Sequence, residues 1–106
     1  LPAYRNRKKI KLVSQVVTRF FLLSGMSLFV ASLNSGSNGN CYYVGNHHEA
    51  VLIDAGISCR ETELRMSRLN LSMKKVKALF VSHEHSDHIK GVAGISKKYK
   101  LPVYVT

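Results

Sequence analysis

A chain of 106 residues with 45% hydrophobic and 21% charged residues and only two prolines supports one modest core. It excludes a second domain, a disordered chain and a fibrous repeat. Its formal net charge of +10 is a basic excess of the kind that attracts nucleic acid or anionic lipid, or simply solubilises a lysine-rich face.

The charge is uneven. Residues 1–25 hold Arg5, Arg7, Lys8, Lys9, Lys11 and Arg19 and no acid, and residues 26–106 carry the remaining +4. The first methionine is Met26. Two readings of the leader compete. One is a signal peptide with a basic start, an apolar stretch from Phe20 to Ala31 and a small-residue site near Ala31-Ser32. The other is a basic leader or non-native extension outside the fold. The second is favoured, because Leu28 to Leu33 is needed as the first strand of the domain. It predicts a cytoplasmic protein in which residues 1–25 are dispensable; the signal-peptide reading predicts export. The apolar run of about 12 residues is too short for a stable membrane span.

From Met26 the punctuation is regular. Leu28–Leu33 reads as a short strand that ends in the turn-forming run Asn34-Ser35-Gly36-Ser37-Asn38-Gly39. Cys41-Tyr42-Tyr43-Val44 is a second strand. Asn46-His47-His48 is a turn, with both histidines read as solvent-facing. Ala50–Ile53 is a third strand, closed by Asp54-Ala55-Gly56. Ser58 with Glu61 three residues on predicts a capping box and a polar surface helix to about Leu69, with Leu64 and Met66 among its apolar positions. Val76–Val81 is a nearly continuous apolar run, as in a buried central strand. Ile89, Val92, Ala93 and Tyr99 predict an amphipathic helix from about Asp87 to Lys98. Leu101–Val105 starts another strand. The order is β-β-β-α-β-α-β, an α/β chain (α+β in some schemes). Cys41 and Cys59 form no C-x-x-C pair, which argues against a cysteine zinc knuckle; two buried thiols in a cytosolic protein is the simpler reading.

The chemistry concentrates in His83-Glu84-His85-Ser86-Asp87-His88. Imidazole nitrogen and carboxylate oxygen are good zinc ligands. In an extended segment His83 and His85 point to one side and can grip one ion together. Asp87 and His88 come as the chain turns into a helix and can face a second ion. Asp87 is also the candidate catalytic carboxylate. Glu84 and Ser86 read as linkers that point away. Two adjacent ions can clamp a phosphodiester and activate a water. Asp54 has two readings: a carboxylate behind the ligands that accepts the ring N–H of a metal-bound histidine, or a turn-forming aspartate before Ala55-Gly56.

Val81 to Gly91, with Leu52-Ile53-Asp54-Ala55-Gly56 ahead of it, resembles the metallo-β-lactamase superfamily. Ser32 to Cys41 and Lys98 to Tyr104 look like its YycJ (WalJ) branch, bacterial proteins regarded as DNA exonuclease-like hydrolases. The likeness runs from Met26 to Thr106. It implies a partial metallo-β-lactamase domain over 26–106, the amino-terminal part of an αββα sandwich. It further implies a first metal at His83 and His85, a second at Asp87 and His88, and Asp54 as the family's early aspartate. The family's downstream ligands have no counterpart here, so the chain looks like a fragment that on its own binds metal weakly and is inactive.

The resulting expectation is a metal-dependent hydrolase, a phosphodiesterase or DNA exonuclease-like enzyme, with two divalent metal ions, zinc before manganese, and nucleic acid as substrate. Lys74, Lys75, Lys77, Lys90, Lys97, Lys98 and Lys100 are candidate phosphate contacts. The alternatives are a thioester or lactam hydrolase of the same fold, or a non-catalytic fragment.

Overall fold

The computed structural model describes residues 28–36, 39–82 and 89–105. Both the basic leader, residues 1–25, and the cluster from His83 to His88 lie outside the described residues. Five strands form one mixed sheet: β1 Phe29–Asn34, β2 Cys41–Gly45, β3 Ala50–Ile53, β4 Val76–Val81 and β5 Val103–Val105. They stand in the sheet in chain order. β1–β2 and β2–β3 pair antiparallel, as a meander does, whereas β3–β4 and β4–β5 pair parallel. Parallel neighbours need crossovers. Helix α1 (Cys59–Arg68) with a 3-10 turn at Met73–Lys75 supplies the first, and helix α2 (Val92–Tyr99) the second. Element order and class are those expected from the sequence.

Alternation along the strands sorts the core into two faces. Leu33, Cys41, Tyr43, Leu52 and Leu79 pack with Met66 of α1 and Ile95 of α2 in the main cluster. Val44, Val51 and Ala78 form a smaller cluster on the opposite face, with Ile53 and Phe80 against it. Each fully buried leucine or isoleucine contributes about 1.5–3 kcal/mol, so the centre of β3 and β4 is the anchor of the sheet.

Details differ from the expectations in two places. In α1, Met66 is buried but Leu64 is exposed, and Thr62 is also buried; the helix is seated on the sheet rather than polar all round. Half of the capping box forms: the Ser58 hydroxyl accepts the Glu61 N–H at 3.1 Å, while the Glu61 carboxylate bonds Arg65 Nε at 2.9 Å instead of turning back. The second helix is described as α2 from Val92, where it buries Ile95; Ile89 is helical as well, and the start expected near Asp87 lies outside the described residues. Cys41 is buried and Cys59 half-buried, both as free thiols. Among the described residues, no helix is long and apolar enough to cross a membrane.

Candidate metal centre

The strand directions bring three loops to one end of the sheet. β3 ends at Asp54 and β4 at Ser82, and the β1–β2 connection lies beside them because Tyr42 pairs with Ile53. Ser82 is the residue directly before His83, and Gly91 follows His88 by three. The two stems of the histidine segment are therefore described even though residues 83–88 are not.

Asp54 holds the first stem. It is 3% exposed. Its Oδ1 accepts the Ser82 N–H at 2.7 Å and its Oδ2 accepts the Ser82 hydroxyl at 2.6 Å. Its own N–H donates to the Phe80 carbonyl at 2.7 Å. Asp54 adopts φ +65°, a left-handed conformation that aspartate tolerates better than most residues. That turn lets one side chain clasp the end of the neighbouring strand. Hydrogen bonds to a buried carboxylate are short and strong, so the Ser82 backbone is fixed where the chain leaves β4.

Ala55 to Ile57 hold the second stem. The Gly91 N–H donates to the Ala55 carbonyl at 2.6 Å. A Cβ on Gly91 would overlap the Ile57 carbonyl oxygen and stand 3.1 Å from its carbon and 3.3 Å from the Ala55 oxygen. Only glycine allows that approach. The same segment is locked from its other side. The Gly56 N–H donates to the Asn40 carbonyl at 2.8 Å, and a Cβ on Gly39, at φ +117°, would meet the Gly56 oxygen at 2.6 Å. Asn34 Nδ2 ties Gly39 at 2.6 Å. Arg65 Nη1 in turn holds the Leu33 carbonyl at 2.9 Å and Asn34 Oδ1 at 2.8 Å.

Of the sequence-predicted site residues, Asp54 is thus placed beside the cluster's entry, gripping Ser82. Its contact with a histidine ring remains a proposal, and His83, His85, Asp87 and His88 fall outside the described residues. Among the described residues no three His, Cys, Asp or Glu side chains converge as a metal site. His47 and His48 lie exposed in the β2–β3 turn at the far end of the sheet, as expected. Asn46 builds that turn by accepting the His48 and Glu49 N–H groups at 2.8 and 2.9 Å.

Sequence reasoning missed Ser82, Gly91, Gly39 and Arg65. A hydroxyl directly before the first histidine and a glycine three residues after the last were the available signals for the first two. The candidate lysines fall in two places in the fold. Lys74, Lys75 and Lys77 sit where β4 begins, and Lys97, Lys98 and Lys100 where α2 ends and β5 is about to begin. With parallel β4 and β5, all six lie at the end of the sheet opposite Ser82. Lys90 alone among the seven lies beside the cluster.

Cys41 contributes packing rather than chemistry. Burial pushes its thiol up to about 12, opposed in part by a hydrogen bond with Thr62. Such a group is a poor nucleophile and a poor metal ligand.

Residues 34–106 match the metallo-beta-lactamase superfamily. The chain is 46% identical over 79 residues to the exodeoxyribonuclease YycJ of Bacillus anthracis, covering 74% of this chain and 30% of that protein. It is 36% identical over 72 residues to the exodeoxyribonuclease WalJ of Streptococcus pneumoniae, covering 68% and 27%. A ribonuclease Z of Treponema pallidum is 45% identical over 47 residues, covering 44% and 14%. The chain therefore spans less than a third of the length of these relatives. Among solved structures, the BLEG-1 B3 metallo-beta-lactamase superposes with a TM-score of 0.59 at 27% identity, over 72% of this chain and 36% of that one. The subclass B3 enzyme BJP-1 of Bradyrhizobium japonicum gives 0.61 at 18% identity, over 74% and 32%, a likeness of fold. Sequence and fold agree, and the chain belongs to the metallo-β-lactamase superfamily.

Proposed function

We propose that this chain forms the first metal-ligand segment, and its scaffold, of a metal-dependent phosphodiesterase that degrades DNA from an end. The observation that carries the reading is the double anchorage of His83–His88: Asp54 grips Ser82 at one stem and Ala55 grips Gly91 at the other. A segment with both ends held by buried bonds can present its side chains in a fixed geometry, which metal ligation requires.

The donor set fits divalent metals. Three imidazoles and a carboxylate are nitrogen and oxygen ligands suited to zinc, with manganese as an alternative. In this reading His83 and His85 hold one ion, and Asp87 and His88 the other. Bound there, the metals supply Lewis-acid activation of water and of the phosphoryl oxygens. The chain's own residues supply position. Asp54 restrains the entry to the segment through Ser82, and a remaining lone pair can accept a histidine ring N–H, fixing its tautomer. Gly91 brings the exit against Ile57 and starts α2. Two unpaired thiols, Cys41 and Cys59, suit a reducing cytoplasm.

The nucleic-acid substrate is supported by the names of the YycJ and WalJ relatives. A lactam substrate is the second reading, supported by the name of the BLEG-1 metallo-beta-lactamase. Competing the two decides between them. The protein carrying this chain, supplied with zinc or manganese, should release nucleotides from end-labelled DNA and leave a chromogenic lactam intact. Lactam turnover with inert DNA would refute the nuclease reading.

A further inference from the structure

The end of the sheet away from the histidine segment carries a dense, uncompensated positive charge. Lys74 and Lys75 close the 3-10 turn, and Lys77 follows on β4. Leu79 pairs with Val103, so the same register two residues earlier on both strands sets Lys77 beside Leu101, with Lys100 next to it. Neighbouring strands are about 4.8 Å apart. Lys97 lies one helical turn before Lys100, and Arg68 ends α1 at the same end. All six side chains are exposed. Lys98 is different, because its Nζ is paired with Glu63 at 2.7 Å. Among the described residues the acids near this end are Glu63, taken by Lys98, and Glu49 in the β2–β3 turn.

Basic residues in the last turn of a helix complement its dipole, and that accounts for Arg68 and Lys97. It does not account for Lys77, on a strand, nor for six like charges gathered where the acids are Glu49 and the Lys98-bound Glu63. We propose that this surface is a second nucleic-acid contact, binding the phosphate backbone without sequence preference, at the opposite end of the sheet from the metal segment. The run of β4 separates Lys77 from Ser82 by about 17 Å at strand rise, so the patch engages nucleotides well away from the bond being cut. The choice of nucleic acid over an anionic lipid surface rests on the substrate reading above. It is favoured also because, of the exposed large apolar side chains at this end, Leu69 lies among the basic residues while Phe29 and Val30 stand on β1 across the sheet, too scattered to enter acyl chains together.

The test is the salt dependence of DNA affinity, measured with the full chain in a chelator, so that binding is read without hydrolysis. Anisotropy of a labelled single strand of about 20 nucleotides is followed from roughly 50 to 200 mM salt. Substituting Lys75, Lys77, Lys97 and Lys100 by glutamine should flatten the log–log slope by about 3, at about 0.7 per lost phosphate contact. The matching lysine-to-arginine variant should keep the slope. A third variant, with Arg5, Arg7, Lys8, Lys9 and Lys11 changed to glutamine, reports the leader's separate share. An unchanged slope in the four-lysine variant overturns the proposal, as does loss of binding to phosphatidylserine vesicles with DNA binding intact. If the slope flattens while the protein proves inert toward DNA, the surface stands and the hydrolase reading fails.

Discussion

Replacing Gly91 by alanine tests the anchorage of the histidine segment directly. The new Cβ would overlap the Ile57 carbonyl oxygen and crowd its carbon at 3.1 Å. Both are backbone atoms of a segment locked on its far side by Gly39 and Asn40, so neither can swing aside as a side chain would. The 2.6 Å bond from Gly91 N–H to Ala55 must then lengthen or break. Overpacking costs about 1–3 kcal/mol, and a buried donor or acceptor left without a partner costs another 1–3 or so. The combined loss is about 2–6 kcal/mol, which for a domain of this size lowers Tm by about 10 °C or more. Gly94 is the internal control. It lies inside α2, and its Cβ would make only ordinary contact with Cys59 Cβ at 3.5 Å. Gly94→Ala should therefore raise stability by about 0.5–1 kcal/mol, the helical preference of alanine over glycine. Thermal melts followed by circular dichroism read both variants. Equal shifts of the same sign would refute the reasoning.

Asp54→Ala removes both bonds to Ser82 and should cost about 2–4 kcal/mol in denaturant melts. It should also weaken metal binding by about 10–100-fold. Asp54→Asn keeps an acceptor for the Ser82 N–H and should lose roughly half of that stability; equal losses would mean that the charge, not the geometry, holds the loop. The Cys41 thiol, raised from 9.0 to about 12, is protonated in the folded chain when the unfolded chain would ionise. Its contribution to stability is full below pH 9.0 and declines as pH rises toward about 12. Cys41→Ser should lessen that decline, and an unchanged alkaline limb would contradict it. In the folded chain Cys59, half-buried, should react with a thiol reagent well before Cys41, as mass-mapped alkylation would show.

The strands were legible because their apolar runs are short and bounded by turn residues. Ala50–Ile53 and Val76–Val81 could be read with their true limits, since each is buried on both faces and flanked by polar residues. The β1–β2 turn was legible in its glycines and asparagines. What the sequence could not convey was contact between loops far apart in the chain. Asp54 can also be read as a local turn former until β3 and β4 pair in parallel and set it against Ser82, 28 residues away. Gly91 reads as part of a helix until the Ala55–Ile57 segment is seen across from it. The lysines were legible as candidate phosphate contacts but not in their grouping, because the crossovers carry six of them to the end of the sheet away from the histidines.

The most direct test of the metal-segment assignment compares Asp87→Ala, Asp54→Ala and Glu84→Ala in the protein carrying this chain, purified with matched metal and scored for bound metal and nuclease rate. Asp87→Ala should lose the most metal and rate, because a direct ligand is removed and its ion is left under-coordinated. Asp54→Ala should fall about 10–100-fold, acting from behind the ligands. Glu84→Ala should be mildest, since in an extended segment alternation would turn its side chain away from His83 and His85. Glu84→Ala as damaging as Asp87→Ala, or full metal content in Asp87→Ala, would contradict the assignment.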